Sequence, residues 1–265
     1  MKKKVLGTTA LLAILAANFA LPITASAVPT SLKSEGHIEY IEDNGTNPPT
    51  DPEDPGKPVD PEEPIVVNPD GGTLSVDAVT NLEFMQQKAV TTDQTYFAKQ
   101  VTVKENGTVK GTRGNFVQVT DKRIDNRTAW KLSAKMTKQF TAGTNVLAGS
   151  TLTYTNPLIN GAGTDKDLFP KLGTGASSFT LTESGNEVDV MATDAATKGF
   201  GTFTVEFGNS AGYAGGTATD STGTPNATDT NLIENGSVQL YVPGKAIKTK
   251  AAYTAEVLWS ISETP

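Results

Sequence analysis

The side chains best placed for chemistry in this chain fall in one run, Asp121-Lys122-Arg123-Ile124-Asp125-Asn126-Arg127. Asp121 and Arg123 suit a bidentate ion pair, in which a planar guanidinium donates two parallel hydrogen bonds to one carboxylate. Such a pair either pins its own loop under the next strand or meets a carboxylate or amide of a ligand. Asp121 and Asp125 alone do not make a glycosidase, because acid and nucleophile must stand at a set separation across a cleft. Asp165 and Asp167, beside Gly163, match part of a calcium loop, but the glutamate that would complete it is missing. Ser150, Ser178 and Ser237 lack a histidine to activate them, since the single histidine, His37, precedes the expected folded region. With no cysteine, neither a disulfide framework nor a thiol nucleophile is available. The chemistry expected is therefore binding, without catalysis, cofactor or metal.

Two tryptophans carry that expectation. Trp130-Lys131-Leu132 and Trp259-Ser260-Ile261 are similar frames, each with an aliphatic residue two places after the indole. On a strand, residues two apart point to one face. Each indole is either a core residue or a half-exposed platform on which a sugar ring or flat apolar partner can stack. The matched frames predict that two strands far apart in the chain lie side by side and present the motifs together.

The elements that must position them read as strands. From Tyr253 to Ile261, Tyr, Ala, Val, Trp and Ile alternate with Thr, Glu, Leu and Ser, the pattern of a half-buried strand. Further strands are predicted over 73–79, 96–103, 115–120, from Trp130 onward, and over 149–155, 179–182, 187–191, 199–207 and 237–242. Asn106-Gly107 is a hairpin signal. The polar run 121–127 predicts that the strands on either side of it are antiparallel neighbours. Residues 156–178 read as a long loop, and 208–231, rich in Gly, Thr, Asn and Asp, as a mobile insertion. Glycine and threonine abundance and the absence of a useful helical period point to an all-β fold. The expectation is a β-sandwich or sandwich-like barrel of about ten short, mostly antiparallel strands with long Gly/Thr-rich loops.

The N-terminal part reads differently. Lys2, Lys3 and Lys4, a mostly apolar run to Leu21 and Ala25-Ser26-Ala27 have the form of a secretory signal, residues 1–27, leaving Val28 as the first mature residue. The apolar run is short for a membrane span, so no transmembrane segment is expected in the mature chain. Residues 28–69 hold ten acidic and two basic side chains with prolines every few positions, and read as an extended acidic tether. Ile38, Tyr40 and Ile41 form a short strand-like patch within it. Residues 70–265 hold nineteen acidic and seventeen basic side chains, so the expected domain is nearly neutral and offers no basic field for nucleic acid.

The stretches GGTLSVDAVTNLEF (71–84), FVQVTDKRIDNRTAWKLSA (116–134), VQLYVPG (238–244) and YTAEVLWSISETP (253–265) together resemble the WxL-domain surface proteins of Gram-positive bacteria, in the small, single-domain form. The resemblance covers residues 70–265. Its first motif falls on Trp130 and Leu132; the second falls on Trp259, with Ile261 where leucine is usual. Ala129 stands where a glycine often precedes the first tryptophan. The resemblance implies a mostly β domain held noncovalently to the cell wall through peptidoglycan or another wall polymer. It also implies other WxL proteins and a membrane-anchored surface partner, and a cell-surface location with release to the medium open. Trp130, Leu132, Trp259, Ile261, Asp121 and Arg123 are then the residues expected to meet the wall or a partner. The alternative is a structural or adhesive subunit whose tryptophan face binds another surface protein.

Overall fold

A computed structural model describes residues 31–174, 177–210, 213, 222–225 and 233–264. The signal segment and most of the 208–231 insertion lie outside the described residues. The chain divides into two compact units, Met1–Tyr40 and Ile41–Pro265. In the first, residues 31–40 are exposed and without regular structure.

The second unit is all-β, with nineteen strands and one short 3-10 turn among the described residues. In chain order these are β1 (Thr50–Asp51), β2 (Asp54–Pro58), β3 (Ile65–Val67), β4 (Leu74–Thr80), β5 (Gln94–Lys99), β6 (Val101–Glu105), β7 (Thr108–Arg113), β8 (Asn115–Asp121) and the long β9 (Ala129–Ala142). There follow β10 (Asn145–Val146), β11 (Thr151–Thr155), β12 (Pro157–Gly161), the 3-10 turn (Lys166–Leu168), β13 (Lys171–Leu172), β14 (Ser178–Leu181), β15 (Val188–Ala192), β16 (Gly201–Phe207), β17 (Thr222–Pro225), β18 (Ile233–Val242) and β19 (Thr254–Thr264).

Three five-stranded sheets do the packing. One runs β12-β16-β8-β4-β3 and a second β14-β11-β18-β17 with β5 on β18. The third runs β10-β9-β15-β13, with β19 on β9. Two hairpins, β1-β2 and β6-β7, complete the set, and every pairing is antiparallel. The main core lies where the sheets face each other. It joins Val117 and Val119 of β8, Trp130, Leu132 and Met136 of β9, Leu152 and Tyr154 of β11, Val205 and Phe207 of β16 and Leu240 of β18. The arrangement is a sandwich and does not close into a barrel.

Four expectations from sequence are corrected. β8 and β9 are not neighbours: β8 is already flanked by β4 and β16, and the polar loop carries the chain to another sheet. The strand expected over 96–103 is two, β5 and β6, in different sheets. The loop expected over 156–178 contains β12 and β13, and Asp165 caps the 3-10 turn by accepting a hydrogen bond from the Asp167 N–H at 3.0 Å. The fourth concerns the tether.

From residue 47 onward the acidic, proline-rich segment is built into the domain. β3 pairs with β4, and Val59 and Ile65 are buried. The Thr50 N–H donates to Gln118 Oε1 at 2.7 Å. Carboxylates expected to repel one another are instead used locally. Asp51 holds Arg113 at 2.6 Å, and Asp60 accepts the backbone N–H groups of Asn106 and Gly107 at the β6-β7 turn. A charge count along a chain cannot show that each carboxylate has a donor waiting in the fold.

One buried carboxyl in this region makes a prediction. Glu206 is fully buried; its Oε1 accepts the Gly114 N–H at 2.8 Å, and its Oε2 has no hydrogen-bond partner among the described residues. Burial, and then the nearby Glu53 charge, hold its carboxyl well above the usual range, with Arg113 opposing. A carboxyl raised in the folded state binds its proton more tightly there than in the unfolded chain, so its contribution to stability is lost as pH rises through the folded value. Glu206→Gln is therefore expected to raise the melting temperature at neutral pH. The gain should vanish at pH below the ordinary glutamate range, where both states are protonated. Thermal melts of the two proteins at pH 3 and pH 7 check this.

Candidate functional site

The two tryptophan frames do meet. β9 and β19 run antiparallel with Trp259 opposite Ala134, Ile261 opposite Leu132 and Glu263 opposite Trp130. Directly opposed residues share a face of a sheet, so Trp130, Leu132, Trp259 and Ile261 all point inward. The burial of β19 alternates as the sequence predicts, with Thr254, Glu256 and Leu258 exposed and Ala255, Val257 and Trp259 partly buried.

The two indoles do different work. Trp130 is 0% exposed, as is Leu132. The Trp130 Nε1–H donates to the Gly199 carbonyl at 3.3 Å, and its backbone N–H donates to Thr193 Oγ1 at 2.9 Å. Gly199 has φ +69°, and a Cβ there would fall 2.8 Å from Trp130 Nε1, so the indole and the glycine fit each other tightly. Neither Trp130 nor Leu132 has surface left to touch a wall polymer; their expected role in direct contact gives way to a role in the core. Trp259 keeps part of its surface. It packs edge-on against Tyr154, with ring centroids 5.8 Å apart at 88°, and against Phe207 at 6.2 Å.

The polar run becomes a clasp. Arg123 Nε and Nη2 donate to Asp121 Oδ1 and Oδ2, both at 2.9 Å, and Nη2 also donates to the Thr128 carbonyl at 3.0 Å. Asp121 is fully buried and Arg123 nearly so. This is the internal pair, not a ligand contact. Its Nη1 also reaches Glu263 Oε1 at 3.1 Å, while Thr128 Oγ1 donates to Glu263 Oε2 at 2.7 Å. The clasp thus joins the end of β8, the start of β9 and the end of β19. A one-residue slip would turn every β19 side chain to the other face, and Glu263 in the clasp opposes that slip. Glu263 was not singled out from sequence; its signal was its place, two residues beyond Ile261 on the same face.

Beyond Trp259, β19 borders an open groove of about 1630 Å³. β19 supplies one bank with Ala255, Val257 and Trp259; residues 79–89 supply the other, including Leu82 and Phe84. Tyr154, Leu152 and Leu240 from the facing sheet lie in the floor. Four lysines, Lys88, Lys99, Lys248 and Lys250, line it against one carboxylate, Glu83. Sequence reasoning missed this bank of lysines because they come from three separated stretches. Among the described residues its lining holds one carboxylate, Glu83, and no histidine.

Comparison with known proteins is consistent with this geometry. A family model described as "WxL domain surface cell wall-binding" matches residues 27–265. No curated protein and no solved structure matches the chain.

Proposed function

The chain belongs to the WxL family of surface cell wall-binding domains, and from that membership we propose that it is exported and attaches noncovalently to peptidoglycan through the groove beside β19. The observation that carries this reading is Trp259. It is the one motif tryptophan with surface to offer, and it stands on the bank of an open groove lined by both apolar and charged side chains. An indole held edge-on by Tyr154 is a rigid platform, so little side-chain entropy is lost when a ligand covers it. The domain acts as a noncatalytic anchor at the cell surface, with release to the medium governed by the affinity of this contact. Other WxL proteins and a membrane-anchored partner are its expected companions.

Co-sedimentation of the mature chain with purified, protein-free wall sacculi tests the proposal. The wild type should be retained, and Trp259→Ala should lose roughly tenfold in affinity, about 1.4 kcal/mol. A melting curve of the variant confirms that it is still folded. A second reading, a subunit that binds another surface protein, is favoured by the length of β19, an eleven-residue strand that pairs only with β9 among the described residues. Retention that starts only when a protein partner is added selects it.

A further inference from the structure

We propose that the groove reads the peptide part of the wall polymer rather than its sugar part, by holding a short acidic wall peptide between the free edge of β19 and the lysines that line the channel. This rests on the wall-attachment reading and names the ligand class within it.

The first ground is the strand edge. Among the described residues, β19 pairs only with β9, and no other backbone hydrogen bond joins it to the protein. Its outer edge presents unpaired N–H and C=O groups, and of its residues Thr254, Ala255, Val257 and Trp259 line the groove. The floor beyond it belongs to β5, β11 and β18, so a peptide laid beside this part of β19 would cover Tyr154 and Leu240. Unpaired N–H and C=O groups on this edge can bond the amides of a short peptide, whose linkages and mixed chirality rule out a regular added strand.

The opposite bank is the second ground. Residues 81–90 carry no regular secondary structure. Within it the Asn81 N–H donates to the Pro64 carbonyl, the Glu83 carbonyl accepts the Lys99 N–H, the Met85 N–H donates to Glu83 Oε1, and the Phe84 carbonyl accepts from Gln87 Nε2. No strand pairs with this segment among the described residues.

Charge is the third ground. The chain as a whole is acidic, at -7, yet the groove gathers four lysines against one glutamate. Lys88, Lys99 and Lys250 are exposed and in no ion pair among the described residues. The cross-linking peptides of a bacterial wall carry free carboxylates at close spacing, and these lysines complement them. A strand of another protein shares the main-chain chemistry; the wall peptide is the occupant we commit to, because the family is described by its wall.

The test uses the full mature chain and three preparations: whole sacculi, glycan strands stripped of peptide by an amidase, and the released soluble peptides as competitor. Retention should be strong on whole sacculi, at least tenfold weaker on bare glycan, and displaced by the peptides. The double variant Lys88→Glu/Lys99→Glu, at two exposed sites, should keep its melting temperature and lose retention roughly tenfold. Equal retention on bare glycan without competition by peptide would overturn the inference while leaving wall attachment intact. No retention on any wall preparation, with binding only to an added protein, would overturn wall attachment as well and give the free edge to a protein strand.

Discussion

Trp130→Ala is expected to be the most damaging single change in the domain, at about 3–5 kcal/mol. Trp130 has no exposed surface, belongs to the main core, and spends its indole N–H on the Gly199 carbonyl. Truncation leaves a cavity of most of an indole, removes a buried hydrogen bond and frees Gly199 from the ring, while the Thr193 bonds, made to the main chain, remain. Against the roughly 5–15 kcal/mol of a typical domain, that loss shifts the melting transition far down. Denaturant unfolding should show a lower midpoint with an unchanged slope. Loss of wall retention in this variant would report unfolding, so it is no measure of contact. Trp130→Phe, which keeps a ring in the site, should be much milder and should retain wall binding.

Arg123→Ala is expected to come second, at about 3–5 kcal/mol. Asp121 is completely buried, and Arg123 is its bidentate partner. Removing one member of a buried pair leaves the other charge desolvated, which costs far more than the pair contributes. Arg127 Nη2, at 3.6 Å from Asp121 Oδ2, can recover part of that loss, so the lower half of the range is the better expectation. Glu263 adds little in energy because it is solvent-accessible. Its loss from the clasp should appear elsewhere: amide exchange at the C-terminal end of β19 should quicken more than exchange in β8. A double variant, Asp121→Leu with Arg123→Met, should recover much of the stability while leaving Glu263 held in the clasp by Thr128 alone. That outcome separates the electrostatic part of the clasp from its role in fixing register.

The parts of the fold legible in the sequence are those written in local alternation. Tyr253 to Ile261 gave both the strand and its inward face, and the matched tryptophan frames gave the pairing of β9 with β19. Asp121 and Arg123 were legible as a bidentate pair because their spacing is local. The rest depends on distant partners. Nothing in residues 47–69 announces that Asp51 will meet Arg113 or that Thr50 will meet Gln118, so a proline-rich acidic run read as a spacer. Pro157 to Gly161 read as loop because its turn residues outweigh a short apolar pair, although β16 beside it supplies the pairing. The site itself was half legible. Trp259 and Ile261 were found, but Trp130 and Leu132 could not be assigned to core or surface from strand parity, because the two faces of β9 are both covered in places. The groove was invisible, since its lysines lie near residues 88, 99 and 250 and meet only when three sheets are assembled.

The chain has only two tryptophans, and one is sealed in the core. In Trp130→Phe the fluorescence of Trp259 therefore reports on the groove alone. On titration with solubilised peptidoglycan fragments, the account predicts a blue shift and protection from acrylamide quenching that saturate together with binding. Undiminished binding with an unchanged spectrum and unchanged quenching would place the wall contact elsewhere on the domain and contradict the account.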